Sequence, residues 1–120
     1  MDIYAAPESE MIVRKGDIVL VPTGIQVSIP SGYEGQIRPR SGLALRHGIA
    51  ILNSPGTIDS DYRGEIKIIL ANLGSGDFHI NRGDRIAQLI ISSVVQATWL
   101  EADALDKTRR GSGGFGHTGR

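Results

Sequence analysis

The sequence runs to 120 residues, 40% of them apolar and 22% charged, which suits one globular domain with a single core. Thirteen basic and thirteen acidic side chains cancel, so no net field draws the chain to nucleic acid or to a membrane, and any anion chemistry must come from locally placed arginines and backbone N–H groups. The lack of cysteine excludes disulfides, thiolate catalysis and cysteine-based zinc sites; no apolar run nears the ~18 residues of a membrane span, and the opening "MDIYAAPESE" has no signal-peptide character, so a cytoplasmic protein is expected.

In chain order the pattern is of short β-type runs punctuated by Gly, Pro, Asn and Asp. "DIVLVP" is near-continuously apolar, and "GIQVSIP" alternates Ile25, Val27 and Ile29. In "RPRSGLALRHGI" the pattern changes: Ser41 reads as an N-cap, Leu43–Arg46 favours helix and Gly48 is a C′ stop, giving a helix of about two turns. Its start, with Arg40 just ahead, is a ready anion site, although the same signals also fit a surface turn that closes a sheet connection. "GIAIL", "GEIKIILAN", "RIAQLIIS" and "VVQATW" complete the strand series, with Pro22, Pro30, Pro39 and Pro55 at run edges where a missing N–H harms a ladder least. Many short strands at close spacing predict an all-β barrel or sandwich. "IVRKGDIVL" and "HINRGDRIA" share a Gly-Asp turn leading into a strand, and Arg82-Gly83-Asp84 reads first as that turn. Strand patterning stops from about Ala102, and the rest reads as a flexible arm.

Two stretches carry unusual chemistry. "NSPGTIDSDYRGE" makes a turn-rich hairpin with Gly56, two carboxylates (Asp59, Asp61) and the Tyr62 phenol, a cluster that also reads as a polar turn with solvated acids. The ending "TRRGSGGFGHTGR" formally contains G-x-G-x-x-G, but with no strand before it and only four residues after Gly116 it is neither a dinucleotide nor a kinase loop. Glycine richness alone would make it a linker. Arg109, Arg110 and Phe115 suit instead an arm that closes on a ligand, with a ring to stack and a guanidinium to clamp phosphate. Carboxylate, phosphate clamp and aromatic lid together suit a nucleotide.

Five ordered motifs now resemble one family closely. They are "MDIYA" at the start, "PRSGLA" at Pro39–Ala44, "GTIDSDYRGE" at Gly56–Glu65, "GDRIAQLI" at Gly83–Ile90 and "RGSGGFGHTG" at Arg110–Gly119. The chain resembles the trimeric dUTPases (deoxyuridine triphosphate pyrophosphatases) over nearly its whole length. It begins inside the first motif, where the family carries a further strand.

The resemblance implies a jelly-roll-like β-barrel over residues 1–101, with one short helix, and a Gly-rich arm over 102–120 that closes over the active site. It implies a homotrimer with shared active sites and Mg²⁺-dependent hydrolysis of dUTP to dUMP and pyrophosphate, limiting uracil incorporation into DNA and supplying dUMP. On this reading Asp59 orients and activates the water that attacks the α-phosphorus; carboxylates are weak bases, so positioning outweighs basicity. Tyr62 packs on the deoxyribose and leaves no room for a 2′-hydroxyl. Backbone groups from Gly56 to Ile58, with Asn53 nearby, read the uracil edge. Arg40, Ser41 and Gly42 hold phosphate, Gln88 contacts the α-phosphate region, and Asp2 reaches Mg²⁺ through metal-bound water. Arg110 pairs with the γ-phosphate, Phe115 stacks on uracil, and Gly116, His117 and Thr118 lie near the terminal phosphates. A dCTP deaminase shares this barrel and needs a glutamate base by the ring, for which Glu65 is the one nearby candidate; an inactive nucleotide-binding relative is the other alternative. His47 and His79 lack metal-ligand spacing and are expected to be structural or surface groups.

Overall fold

Turn residues between short apolar runs break the chain into nine strands and one helix among the residues described by the computed structural model, 1–114. Strands β1 (Asp2–Tyr4), β2 (Met11–Val13), β3 (Ile18–Pro22) and β4 (Tyr33–Arg38) precede helix α1 (Ser41–His47). Then come β5 (Ile49–Ile51), β6 (Gly56–Ile58), β7 (Lys67–Asn72), β8 (Phe78–Ile80) and β9 (Arg85–Ser93). The pairings are antiparallel and form three sheets, in the orders β1-β9-β4-β6, β2-β8 and β3-β7-β5. All three sheets contribute to one core that includes Ile3, Val13, Val21, Ile37, Ile49, Ile68, Leu70, Ile80 and Leu89. The fold is all-β, as the strand pattern predicts, and no helix of the described residues is long and apolar enough to cross a membrane.

Strand β4 alternates as a half-buried strand should, with Gly35 and Ile37 inward. Gly35 lies where a Cβ would come within 3.1 Å of Ile29, Ile58 and Leu89 side chains, so its lack of a side chain lets neighbouring strands close on the core. Asn72, fully buried, ends β7 and satisfies itself completely. Its Nδ2 donates to the Val13 and Gly76 carbonyls, each at 2.8 Å, and its Oδ1 accepts from Gly74 N–H at 2.9 Å. One polar side chain thus ties β2 to the loop ahead of β8.

The two Gly-Asp turns are alike, as their sequences indicate. Gly16 and Gly83 both take positive φ, at 87° and 91°, and Asp17 and Asp84 accept from Arg14 N–H (3.2 Å) and Asn81 N–H (2.7 Å). The carboxylate of the Arg-Gly-Asp triplet is therefore spent on its own turn.

Three local expectations are corrected. Helix α1 is capped one residue earlier than Ser41: Arg40 holds the extended cap conformation (φ −88°, ψ 123°), and its carbonyl accepts from Leu43 and Ala44 N–H, each at 3.1 Å. Pro39 keeps the preceding chain extended, so the helix begins as soon as that restriction ends, with Ser41 in its first turn and Gly48 left-handed at its end. The Ile25–Ile29 run packs Ile25 and Val27 on the core but forms no ladder strand. Its neighbour, the 62–66 stretch, is irregular and forms no strand, and it offers the run Ile66 N–H to the Ile25 carbonyl at 2.9 Å. Finally, "VVQATW" is not a strand: β4 begins at Tyr33, opposite Ser93, so after Val94 N–H bonds the Gly32 carbonyl at 2.9 Å no partner remains. Residues 94–114 carry no helix or strand, and Val95 and Trp99 are 91% and 95% exposed.

Candidate active site

At the β1 edge of the four-stranded sheet, four polar side chains meet. Asp2 sits opposite Gln88, whose Nε2 reaches Asp2 Oδ1 at 3.4 Å. Arg85 Nη1 donates to Asp2 Oδ2 at 3.2 Å, and Arg40 Nε lies 3.7 Å from Asp2 Oδ1. Arg40 also donates through Nη1 to the Arg85 carbonyl at 3.0 Å, which fixes it beside the first turn of α1. Desolvation pushes the Asp2 carboxyl up, but hydrogen bonds from Arg85 and Gln88 and the charges of Arg40 and Arg85 outweigh it and hold the group below its ordinary range. Ser41 and Gly42, first in the helix, have N–H groups that no intrahelical carbonyl can reach. Asp2 itself is anchored: the Met1 amine donates to the Leu89 carbonyl at 2.9 Å, and Leu89 N–H to the Met1 carbonyl at 2.8 Å. A groove of about 420 Å³ opens here, lined by Tyr4, Arg40, His79 and Arg85 among others.

Arg85 belongs to this cluster, and sequence reasoning gave it no role. It stands three positions before Gln88, and in a regular strand that spacing puts two side chains on opposite faces. The register against β1 shifts between Ile3 and Tyr4: Ile3 faces Ala87 while Tyr4 faces Arg85. Ile86 and Ala87 are buried consecutively, and this bulge returns Arg85 to the face of Gln88. Two adjacent apolar residues between two polar ones, "RIAQ", is the available signal.

The stretch after β6 is built differently, and it is a loop where the sequence predicts a hairpin: β6 pairs with β4, whereas the next strand, β7, pairs with β3 and β5 in another sheet. Gly56 is buried with the Asn53 side chain over it, where a Cβ would lie 3.0 Å from Asn53 Nδ2. Tyr62 N–H donates to the Asp59 carbonyl at 3.2 Å, closing a turn that leaves both Asp59 and Asp61 exposed. Arg63 Nη1 braces this turn from the Ser60 carbonyl (2.7 Å) and the Tyr62 carbonyl (2.9 Å). The Tyr62 hydroxyl donates to the Glu65 carbonyl at 3.0 Å, and the ring stays 44% exposed. Beside the turn lies a cleft of about 700 Å³ lined by Ser31, Tyr33, Glu34, Asp59, Ser60 and Asp61 among others, with no cation among its lining residues.

Glu65 is not placed as a base. One of its carboxylate oxygens accepts from Gly24 N–H (2.8 Å) and Thr23 N–H (3.1 Å), and Lys67 Nζ lies 3.7 Å from the other. The Gly24 amide does most to lower its pKa; burial opposes, and the Thr23 amide and Lys67 add to the lowering. An anion bound in this way is a poor proton acceptor, which counts against the deaminase alternative. His47 packs on Phe78 with ring centroids 5.3 Å apart, and His79 Nδ1 meets Glu10 Oε1 at 2.9 Å, so both are engaged structurally. The described residues contain no group of three His, Asp or Glu able to hold a metal ion.

The expected site residues therefore fall into two groups. Asp2, Arg40 and Gln88 converge, with Ser41 and Gly42 alongside; Asn53, Gly56, Ile58, Asp59 and Tyr62 lie on β6 and the segments that flank it. β1 and β6 are opposite edges of one four-stranded sheet, with β9 and β4 between them, and Asp59 follows the end of β6, so the two carboxylates belong to opposite edges. Arg110 joins neither group; its Nε donates to the Gly113 carbonyl at 2.7 Å within its own turn. Phe115, Gly116, His117 and Thr118 lie outside the described residues.

Known proteins match this arrangement along the whole chain. The dUTPase family model matches residues 1–119. The chain belongs to the dUTPase family. It is 58% identical over 119 residues to the deoxyuridine 5′-triphosphate nucleotidohydrolase of Thermoanaerobacter sp. (strain X514), covering 99% of this chain and 80% of that relative. The nucleotidohydrolase of Rickettsia canadensis (strain McKiel) is 59% identical, with the same coverage. The dUTPase of Staphylococcus bacteriophage 80alpha, solved with dUPNHPP, superposes with a TM-score of 0.88 at 25% identity, over 99% of this chain and 85% of that one.

Proposed function

We infer that this dUTPase-family chain hydrolyses dUTP to dUMP and pyrophosphate. The observation that carries this is the family match over nearly the whole chain, at 58% identity to a relative named for that reaction. The solved phage relative, bound to dUPNHPP, supports a deoxyuridine nucleotide as the ligand.

Asp59 is the group that orients water for attack on the α-phosphorus. It is exposed at the tip of a braced turn, so its position is set by the fold before substrate arrives. The Tyr62 ring lies against the sugar and excludes a 2′-hydroxyl, while the Gly56–Ile58 backbone and Asn53 read the uracil edge. A closed polar site of this kind rejects cytosine, whose amino group would leave backbone donors unpaired. Arg40, the free N–H groups of Ser41 and Gly42, and Gln88 receive the phosphates, and the position of Arg85 beside Asp2 adds a second guanidinium to that face.

Both groups must act on one nucleotide, yet in one chain they lie at opposite edges of a four-stranded sheet. That separation supports a site shared between copies, with the loop after β6 of one chain facing the arginine cluster of another. The homotrimer is the assembly the family resemblance implies. Residues 102–120 complete the site as an arm, bringing Arg110, Phe115, Gly116, His117 and Thr118 over the nucleotide.

Magnesium fits this donor set only at arm's length. Asp2 is kept anionic by its neighbours but shares its oxygens with Arg85, Gln88 and Arg40, so it suits a Mg²⁺ that keeps its waters and binds chiefly to phosphate oxygens. When bound, the ion would neutralise phosphate charge and hold the triphosphate in one conformation. The cytoplasmic location belongs to this same reading.

Incubating the purified chain with dUTP and Mg²⁺, and separately with dCTP, tests the function through pyrophosphate and ammonia release. Pyrophosphate from dUTP alone is the expected result. Ammonia from dCTP would overturn it in favour of the deaminase, and nucleotide binding without turnover would make the chain an inactive relative.

A further inference from the structure

Tyr62 is a large, half-exposed ring in a connection without regular structure, where three staggered χ1 wells are ordinarily open to a side chain. Two features confine it. Its hydroxyl donates to the Glu65 carbonyl at 3.0 Å, and its ring lies directly over Gly64, where a Cβ would come within 2.6 Å of Tyr62 Cζ. Gly64 does not have a positive φ, so its backbone does not call for glycine; a Cβ there would instead displace the phenol end of the Tyr62 ring.

The Glu65 carbonyl is itself held in place. The Glu65 carboxylate takes the Thr23 and Gly24 amides, the buried Thr23 hydroxyl donates to the Ile66 carbonyl at 2.6 Å, and Ile66 N–H donates to the Ile25 carbonyl at 2.9 Å. Four hydrogen bonds thus fasten residues 65 and 66 to the 23–25 segment, which packs on the core through Ile25. From core to ring the path is continuous: the 23–25 segment, Glu65, the Tyr62 hydroxyl, and the phenol end of the ring against Gly64.

We propose that Gly64 and Glu65 are positioning residues that set the pose of the Tyr62 ring, and through it the preference of the enzyme for a deoxyribose over a ribose nucleotide. This rests on the reading that Tyr62 faces the sugar of dUTP. A ring that can lift or rotate no longer fills the space of a 2′-hydroxyl, so UTP is admitted as dUTP contact weakens. Glu65 acts without touching substrate: it needs only an oxygen acceptor for two amides, so its charge is dispensable and its reach is not.

The test compares kcat and KM for dUTP and UTP, by pyrophosphate release, in the full chain and in Gly64→Ala, Tyr62→Phe, Glu65→Ala and Glu65→Gln. Gly64→Ala, Tyr62→Phe and Glu65→Ala should each lower the dUTP/UTP ratio of kcat/KM by about tenfold, the scale of a side chain displaced by part of an ångström. The loss should fall on KM for dUTP more than on kcat. Glu65→Gln keeps an oxygen for the Thr23 and Gly24 amides and should stay within about twofold of the parent ratio. A variant that is only destabilised loses both substrates in proportion and leaves the ratio unchanged. Should Gly64→Ala not fold, Tyr62→Phe removes the tether alone and carries the test. An unchanged ratio in folded Tyr62→Phe, or equal losses in Glu65→Gln and Glu65→Ala, would overturn the proposal. No pyrophosphate from dUTP with the parent chain would instead sink the functional reading beneath it.

Discussion

At the β1 edge, Asp2, Arg40, Arg85 and Gln88 hold one another mainly through their charged ends, across β1, β9 and the approach to α1. At the β6 edge, the Asp59–Ile66 loop is held largely through main-chain carbonyls and amides, with side chains reaching back to them. The first region can exchange partners without moving its backbone: an arriving phosphate replaces a carboxylate as the partner of a guanidinium. The second has little such freedom, because each of its bonds fixes a loop conformation. On the proposed assignment, the region that receives a polyanion is built from exchangeable ion pairs, and the region that measures a sugar is built from fixed geometry.

Substitutions should separate the two regions. The largest effect is expected at Asp59: Asp59→Asn should cut kcat by about 10³-fold, within the usual range for a lost acid–base group, while leaving the melting temperature unchanged because the side chain is exposed. Mixing Asp59→Asn chains with Arg40→Ala chains and reassembling them should then restore part of the lost activity, since some shared sites receive both intact regions. No recovery after verified subunit exchange would place both regions in a single-chain site.

A smaller effect is expected at Arg85. Arg85→Ala should raise KM for dUTP by about tenfold, the value of one charge-assisted contact, with kcat little changed. It should also flatten the rise in KM seen as ionic strength goes from about 0.1 M to about 1 M, where screening shortens to a few ångströms. A KM for Arg85→Ala equal to that of the parent would remove Arg85 from the phosphate face.

The smallest effect concerns stability in acid. Glu65 has its pKa lowered in the fold from the ordinary value of 4.5, so the unfolded chain binds its proton first as pH falls. The stabilisation is present above about pH 4.5 and is lost as pH drops through the lower folded value. Glu65→Gln has no such proton to take up, so its urea midpoint should fall less than that of the parent between pH 6 and pH 3, each pH being a setting of the experiment chosen to bracket roughly the carboxylate range. Parallel curves would show that Glu65 contributes no linkage.

How much of this was legible in the sequence depends on what each feature rests on. Strand alternation and turn residues announced the all-β class, and the Gly-Asp turns form as their chemistry dictates. The helix is visible too, but a serine preference alone places its cap at Ser41; the extended Arg40, whose carbonyl closes the first turn, takes the cap and leaves Ser41 inside it. The Ile25–Ile29 and Val94–Trp99 runs have strand composition and form no ladder, because a strand needs a partner and composition cannot say where the partner ends. In the site, the motifs named Asp2, Arg40 and Gln88, which the fold does bring together, but not Arg85, whose orientation depends on a bulge. Nor did they show that Glu65, weighed as a catalytic base, is bound to two amides. Both omissions concern pairings between distant segments, which one-dimensional spacing does not carry.

The bulge at Ile86 and Ala87 also makes β9 intolerant of changes in length. Removing one residue there would straighten the strand and advance everything N-terminal to it by one pleat, exchanging the inward and outward sides of the chain leading into the turn at Asp84. Arg85 would then point into hydrocarbon, or the whole strand would slide and strip Gln88 from Asp2. The position is therefore fixed by counting as well as by chemistry: the core requires an apolar side chain at Ile86, and the strand tolerates no gap there.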